Sequence, residues 1–370
     1  MGRSASHRFA FLKTVFFFVS LLLANQSLAA PKDPLSLGAI VSLSGDAARN
    51  GRNWLEGAEL AIDELNQSGV GVRLVVEDDA TVPGKVATAF VKLATVDKVS
   101  GIIGGTWDFL AESAFPLAKQ YRTPFITPTN PVEILSAAAR SNQWVFTNGL
   151  SLSAEEQVLR QFLKMKAIRS VGLVYINVPY GISHADLLRK IAKDSGIDVL
   201  TDTQISYEGF HDAIKLAALR IFQKKPELVL VVLNYEGVDL LLRELAVRHS
   251  TPLVVMPHTL KEAYDFAEKP DRYGRAYGIY PKYASNDFDK TFLNKFNRAP
   301  YDYAAAGYDA TMFMANLALR RGSGDLSGVK VVYEGVTGMH AIPAADRSVV
   351  STRAAIMSVV DGRLQEFSLE

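Results

Sequence analysis

The chain has 370 residues, 48% apolar and 21% charged, with 40 Lys plus Arg against 39 Asp plus Glu and no cysteine. At ~100–200 residues per domain this supplies two or three domains with real cores, and the composition excludes a disordered or collagen-like chain. A net charge of +1 gives no electrostatic reason to expect nucleic acid or an anionic membrane as partner, and the missing cysteines exclude disulfides, thiolate nucleophiles, iron–sulfur clusters and cysteine-ligated zinc.

The first 29 residues carry Arg3, Arg8 and Lys13 but no acid, followed by an apolar run over 15–24 broken only by Ser20. Ser27 and Ala29 place small side chains at positions −3 and −1 of a cleavage site, so the segment reads as a signal peptide (1–29) cut after Ala29. The run is well short of the ~20 apolar residues that span a bilayer, which favours a cleaved leader over a membrane anchor. Three of the 40 basic residues leave with it, so the mature chain has 37 basic against 39 acidic residues. It is expected to be exported, soluble and slightly acidic.

Beyond residue 35, short β-rich runs alternate with amphipathic stretches. Residues 37–41 read as a buried strand and 54–65 as a helix with Leu55, Ala58, Ala61, Ile62 and Leu65 on one face. A strand over 72–76 ends in the acidic turn Glu77-Asp78-Asp79, and Val86, Phe90, Leu93 and Ala94 mark the next helix. Strand 101–104, helix 111–120 and strand 125–127 complete a first series. The second series runs as helix 154–165, strand 171–175, helix 183–195, strand 199–205, helix 213–224, strand 228–233, helix 237–248 and strand 252–256. Helices follow near 287–296 and 303–320, then a strand over 353–360 that ends in the Asp361-Gly362 turn. Unbroken runs such as Leu228-Val229-Leu230-Val231-Val232-Leu233 suit strands covered on both faces. Strict alternation of strand and helix predicts an α/β protein with two doubly wound parallel sheets, and no low-complexity linker separates them.

The catalytic inventory is thin. No two of His7, His184, His211, His249, His258 and His340 stand at metal-binding spacing, and no zincin, nucleophile-elbow, Walker A or EF-hand motif is present. The glycines of Gly101-Ile102-Ile103-Gly104-Gly105 lack the order of a phosphate loop, and Asp78-Asp79 suits a turn and cap better than a cation site. No enzyme, cofactor or metal is expected. In open α/β sheets ligands bind beyond the carboxyl ends of strands. The loops there are 42–46 with Asn50-Gly51, 104–108, 127–131, 176–181, Asn234-Tyr235-Glu236 and Pro257-His258-Thr259.

At these loops the chain resembles the type I periplasmic solute-binding proteins of ABC importers, the leucine/isoleucine/valine-binding group. The resemblance is carried by Leu43-Ser44-Gly45 with Gly51, Glu56-Gly57-Ala58-Glu59-Leu60-Ala61, Glu77-Asp78-Asp79-Ala80 with Pro83, Ile102-Ile103-Gly104, Phe125-Ile126-Thr127-Pro128, and Tyr175 with Tyr180-Gly181. It implies two flavodoxin-like lobes joined by a three-crossover hinge, closing on a small solute that is delivered to an inner-membrane permease. The lobes would span 36–149 plus 275–333 and 150–274 plus 334–370, in a monomer. The same fold serving a signalling receptor is the alternative. An exported enzyme, the third reading, would have to use Asp108 with His258.

Position by position, the resemblance implies ligand-binding roles for Asn50, Thr106, Trp107, Asp108, Thr129, Asn130, Tyr180, Asn234, His258 and Tyr303. Three of these depart from the family pattern, among them Asn234, near a position that the group fills with a tyrosine. Asp108 stands where the family usually has a serine that binds the ligand's carboxylate, and His258 lies near a position that the group fills with an acid. Asp108 either caps the following helix or faces a ligand bearing a cationic, donor or amide group. Trp107 and Tyr180 would sandwich a planar part.

Overall fold

A computed structural model describes residues 33–128, 132–283, 287–322, 324–326, 328–342, 350–351 and 353–369. The leader, Thr129 and Asn130 lie outside the described residues. The first series comprises β1 (Leu35–Val41), α1 (Ala48–Gln67), β2 (Val72–Asp78), α2 (Pro83–Thr95) and β3 (Ile102–Gly104). It continues with α3 (Asp108–Glu112), α4 (Phe115–Tyr121), β4 (Phe125–Thr127), α5 (Ala137–Ser141) and β5 (Val145–Thr147). Its strands form a parallel sheet ordered β2-β1-β3-β4-β5.

The second series comprises α6 (Leu152–Met165), β6 (Ser170–Ile176), α7 (Pro179–Ser195), β7 (Asp198–Ile205) and α8 (Phe210–Lys224). Next come β8 (Leu228–Val232), α9 (Tyr235–Val247), β9 (Leu253–Pro257), α10 (Leu260–Phe266) and β10 (Ala276–Pro281). The chain then forms α11 (Asp287–Phe296), α12 (Asp302–Arg321), β11 (Val331–Glu334), β12 (Met339–Ile342), β13 (Val350–Ser351), β14 (Ala354–Val360) and β15 (Arg363–Glu366). The second sheet is ordered β7-β6-β8-β9-β10-β14-β15, parallel except for the antiparallel β14 and β15, while β11, β12 and β13 make a small antiparallel sheet.

Local chemistry explains several boundaries. Ser151 and Asn234 cap α6 and α9 by accepting from the amides of Ala154 and Gly237. Pro179 opens α7 where no donor is needed, and Gly196 closes it in the left-handed region. All five residues of β8 are buried, as the unbroken apolar run requires. Helix α1 starts six residues before the expected 54, because Asn50 and Gly51 are drawn into its first turns against the end of β1. A Cβ on Gly51 would lie 2.0 Å from the Ser42 carbonyl oxygen.

Two lobe limits differ from expectation. The limit at 275 fails because the apolar segment 276–281 pairs with β9 and β14, inside the second sheet. The limit at 334 fails because both Val331 and Ile342 are buried in the first lobe's core. That core packs α1 and the largely buried α12 against the first sheet, with Trp54, Phe146, Phe292 and Phe313 at its centre. Two further cores flank the second sheet, one under α6 and α7 and one under α8 and α9.

Helices α1 and α12 approach so closely that a Cβ on Gly57 would sit 1.8 Å from the Ala304 carbonyl oxygen. This contact orients the helix ends that carry Asn50 and Tyr303. Gly57→Ala is expected to destabilise by ~1–3 kcal/mol or more, read as a lower urea midpoint. Gly84→Ala, on α2 with open space around it, is expected to leave stability unchanged or raise it by up to ~1 kcal/mol, read as an equal or higher midpoint.

Candidate functional site

The carboxyl ends of both sheets meet across a cleft containing a cavity of about 110 Å³. From the first lobe, α1 brings Asn50, the β3–α3 connection brings Trp107, Asp108 and Phe109, and α12 brings Tyr303. From the second lobe, Tyr180 follows β6, Tyr207 and Phe210 follow β7, Asn234 and Tyr235 follow β8, and His258, Thr259 and Glu262 follow β9. Seven of these side chains are Trp, Phe or Tyr, and none of the described lining residues is Lys or Arg. Such walls favour an apolar, planar body with a few polar anchors.

Hydrogen bonds tie the lobes across this gap. Trp107 Nε1 donates to Asn50 Oδ1 at 3.2 Å, and Asn50 Nδ2 donates to Glu262 Oε2 at 2.9 Å. Arg49 Nε lies 3.2 Å from Glu262 Oε1, while its Nη2 donates to the Tyr301 hydroxyl at 2.6 Å. The guanidinium stacks over the rings of Tyr235 and Tyr301, 5.2 and 5.1 Å from their centroids. Tyr207 and Phe210 stack with ring planes 17° apart at the lip, where Tyr207 is exposed.

Asp108 is buried at the cleft floor. Its Oδ1 accepts from the Phe109 amide at 2.9 Å, and its Oδ2 accepts from the Tyr180 amide at 3.0 Å, across the cleft in the first turn of α7. Burial pushes its carboxyl above the usual range, with the amides of Tyr180 and Phe109 pulling the other way. Behind Tyr180 the second lobe continues the chain of bonds. His184 Nδ1 lies 2.7 Å from the Tyr180 carbonyl oxygen, and its Nε2 lies 3.2 Å from the buried Glu155. A ring nitrogen facing a carbonyl must donate, so the His184–Glu155 contact shares one proton between imidazole and carboxylate. On the cleft side, His258 Nε2 lies 3.8 Å from Glu155 Oε1. His258 itself is held at φ 57°, in the left-handed region that few non-glycine residues enter.

Of the residues singled out from sequence, the structure brings Asn50, Trp107, Asp108, Tyr180, Asn234, His258 and Tyr303 to the cleft wall. Thr106 is a correction. It lies buried beneath the wall, where its hydroxyl accepts from the Ser42 amide at 2.9 Å and joins the ends of β1 and β3. Asn234 lines the cleft while its Oδ1 caps α9. Asp108 does more than sit at the start of a helix, since its second oxygen reaches the opposite lobe. Asp78 and Asp79 act as turn formers, accepting from the amides of Leu43, Ala80 and Thr81. Sequence reasoning passed over Phe109, Tyr207, Phe210 and Glu262. Glu262 lies on α10, a seven-residue helix too short to show a periodic signal. Tyr235 and Thr259 fall in the strand-end loops and were findable by that rule.

The fold and cleft define a two-lobed α/β binding protein. A family model described as "Periplasmic binding protein" matches residues 34–363, and the chain belongs to that family. It is similar to the branched-chain amino acid transporter substrate binding protein LivJ from Streptococcus pneumoniae in complex with isoleucine, at 21% identity, covering 90% of this chain and 98% of that one with a TM-score of 0.79. A solute-binding protein of an ABC transporter from Rhodopseudomonas palustris BisB5, in complex with 3,4-dihydroxybenzoic acid, matches at 19% identity over 91% of this chain and 97% of that one, TM-score 0.78. A third, a solute-binding protein from R. palustris in complex with benzoate, matches at 17% identity over 90% and 95% respectively, TM-score 0.76.

Glu155 is held below its ordinary value of 4.5: burial opposes this, but the charges and hydrogen bonds of His184 and His258 outweigh it. Its stabilising effect is therefore complete above pH 4.5 and is lost as pH falls toward the depressed value. Glu155→Gln is expected to cost ~3–5 kcal/mol at pH 7, as breaking a buried pair does. Melting curves of wild type and variant across pH should converge on acidification.

Proposed function

We propose that this chain is the periplasmic solute-capture component of an ABC importer, which encloses a small solute between its lobes without altering it and presents it to an inner-membrane permease. The observation that carries this reading is the cleft itself, whose aromatic and polar walls come from both lobes and are bridged by Asn50–Glu262 and Arg49–Glu262. Export by a leader cleaved after Ala29 and action as a monomer belong to the same reading. The related solute-binding proteins, whose structures hold isoleucine, benzoate and 3,4-dihydroxybenzoic acid, support it.

A ligand that prefers the closed lobes drives closure by its differential affinity. A thermal-shift screen of amino acids, amines, amides and aromatic compounds should therefore give a raised Tm for at least one solute, recovered unchanged in mass after denaturation. No shift with any solute, or recovery of a product, would sink the proposal. Arg49→Ala, which removes a half-buried bridge between the lobes, is expected to weaken that ligand about fivefold, the ~1 kcal/mol typical of such a pair. Isothermal titration checks this.

A further inference from the structure

The geometry at the cleft floor points to a specificity rule: we infer that Asp108 is a built-in carboxylate filling the place of a ligand's own, and that the cleft takes aromatic solutes ending in an amine or amide and rejects the corresponding acids. The inference rests on the solute-capture reading and sharpens it to a ligand class.

The argument begins with the amides. Helix α7, seventeen residues long, turns its N-terminal end toward the cleft, where the first-turn amide of Tyr180 and the positive end of the helix dipole favour a negative charge. An anionic ligand entering from the first lobe would be drawn to this place. Asp108 already holds it, one oxygen on the Tyr180 amide and the other on the Phe109 amide, so a single side chain receives donors from both lobes. His184 holds the Tyr180 carbonyl oxygen, in the next peptide unit of the same turn. The slot is therefore pre-built around a carboxylate carried by the protein.

The remaining charges agree. None of the described lining residues is Lys or Arg, and the second lining acid, Glu262, is already taken up by Arg49 and Asn50. A ligand carboxylate at the floor would meet the buried Asp108, while the nearest cation, Arg49, is already engaged by Glu262 and so does not offset its desolvation. An ammonium or amide end would meet acceptors, and the seven aromatic side chains would hold a ring or an alkyl-ammonium group against their faces.

Three probes that differ only at the polar end test this: benzylamine, benzamide and benzoate, each titrated calorimetrically, within a broader thermal-shift panel of matched acids, amines and amides. The best solute in the panel is expected to carry no carboxylate, with each acid at least tenfold weaker than its amine or amide. An acid that binds as well as its partners, or better, overturns the inference while leaving solute capture intact. Failure of every solute to bind overturns the solute-capture reading instead. Asp108→Ser, which empties the slot, is expected to gain at least tenfold in benzoate affinity and lose affinity for the amine. Asp108→Asn, which keeps the shape and one acceptor, should fall between. The wild-type selectivity stands as a test by itself should either variant fold poorly.

Discussion

Two lobes can share a cleft only if the polar groups at their junction remain satisfied when water is removed. Here that constraint is met by bonds within the first lobe together with a few that reach across the gap. The Asp108 carboxylate takes the Tyr180 amide, and Glu262 takes the Asn50 amide nitrogen with Arg49 beside it. Each bond joins residues far apart in sequence, and each would leave a buried donor or acceptor exposed to an apolar wall if its partner were lost. The aromatic lining, the capped helix ends and the paired charges are arranged around those few bonds.

The position of the cleft follows from topology. In the first sheet the strand order reverses between β1 and β3, and the residues leaving those strands supply Asn50, Trp107 and Asp108. In the second it reverses between β6 and β8, whose connections supply Tyr180 and Asn234. Both crevices open where parallel strands diverge to helices on opposite faces, the place at which backbone donors are left unpaired. Facing two such crevices toward each other doubles the supply of donors and hydroxyls. It also explains why one carboxylate can collect amides from both sides.

Most of the architecture was legible because its elements are long and strongly patterned. The apolar run at Leu228 to Leu233 and the one-sided helix from Leu55 to Leu65 carry their own signal. Short pieces were not legible: β5, α3 and α10 have three, five and seven residues, too few for a period to declare itself. Strand β10 was missed because Ala276-Tyr277-Gly278-Ile279-Tyr280-Pro281 gains its strand character from β9 and β14, which pair with it only in three dimensions. At the cleft, the strand-end rule located the loops but did not sort their members. Thr106 and Trp107 are neighbours, yet one ties two strands together and the other lines the cavity. That choice depends on side-chain direction, which sequence alone leaves open.

The packing of α1 against α12 has a consequence for biosynthesis. Gly57 and Ala304 are in contact although most of the second lobe lies between them in the chain. Until α12 has been made, the faces of Leu37, Ala58 and Ile103 have no cover, and until β14 has been made, Ile356 is missing from the second lobe's core. Neither lobe is complete before the last third of the chain exists, and no cysteine is present to hold a partial fold. A nascent chain of this kind keeps its apolar faces unburied late into synthesis, and during that time they are open to association with other chains.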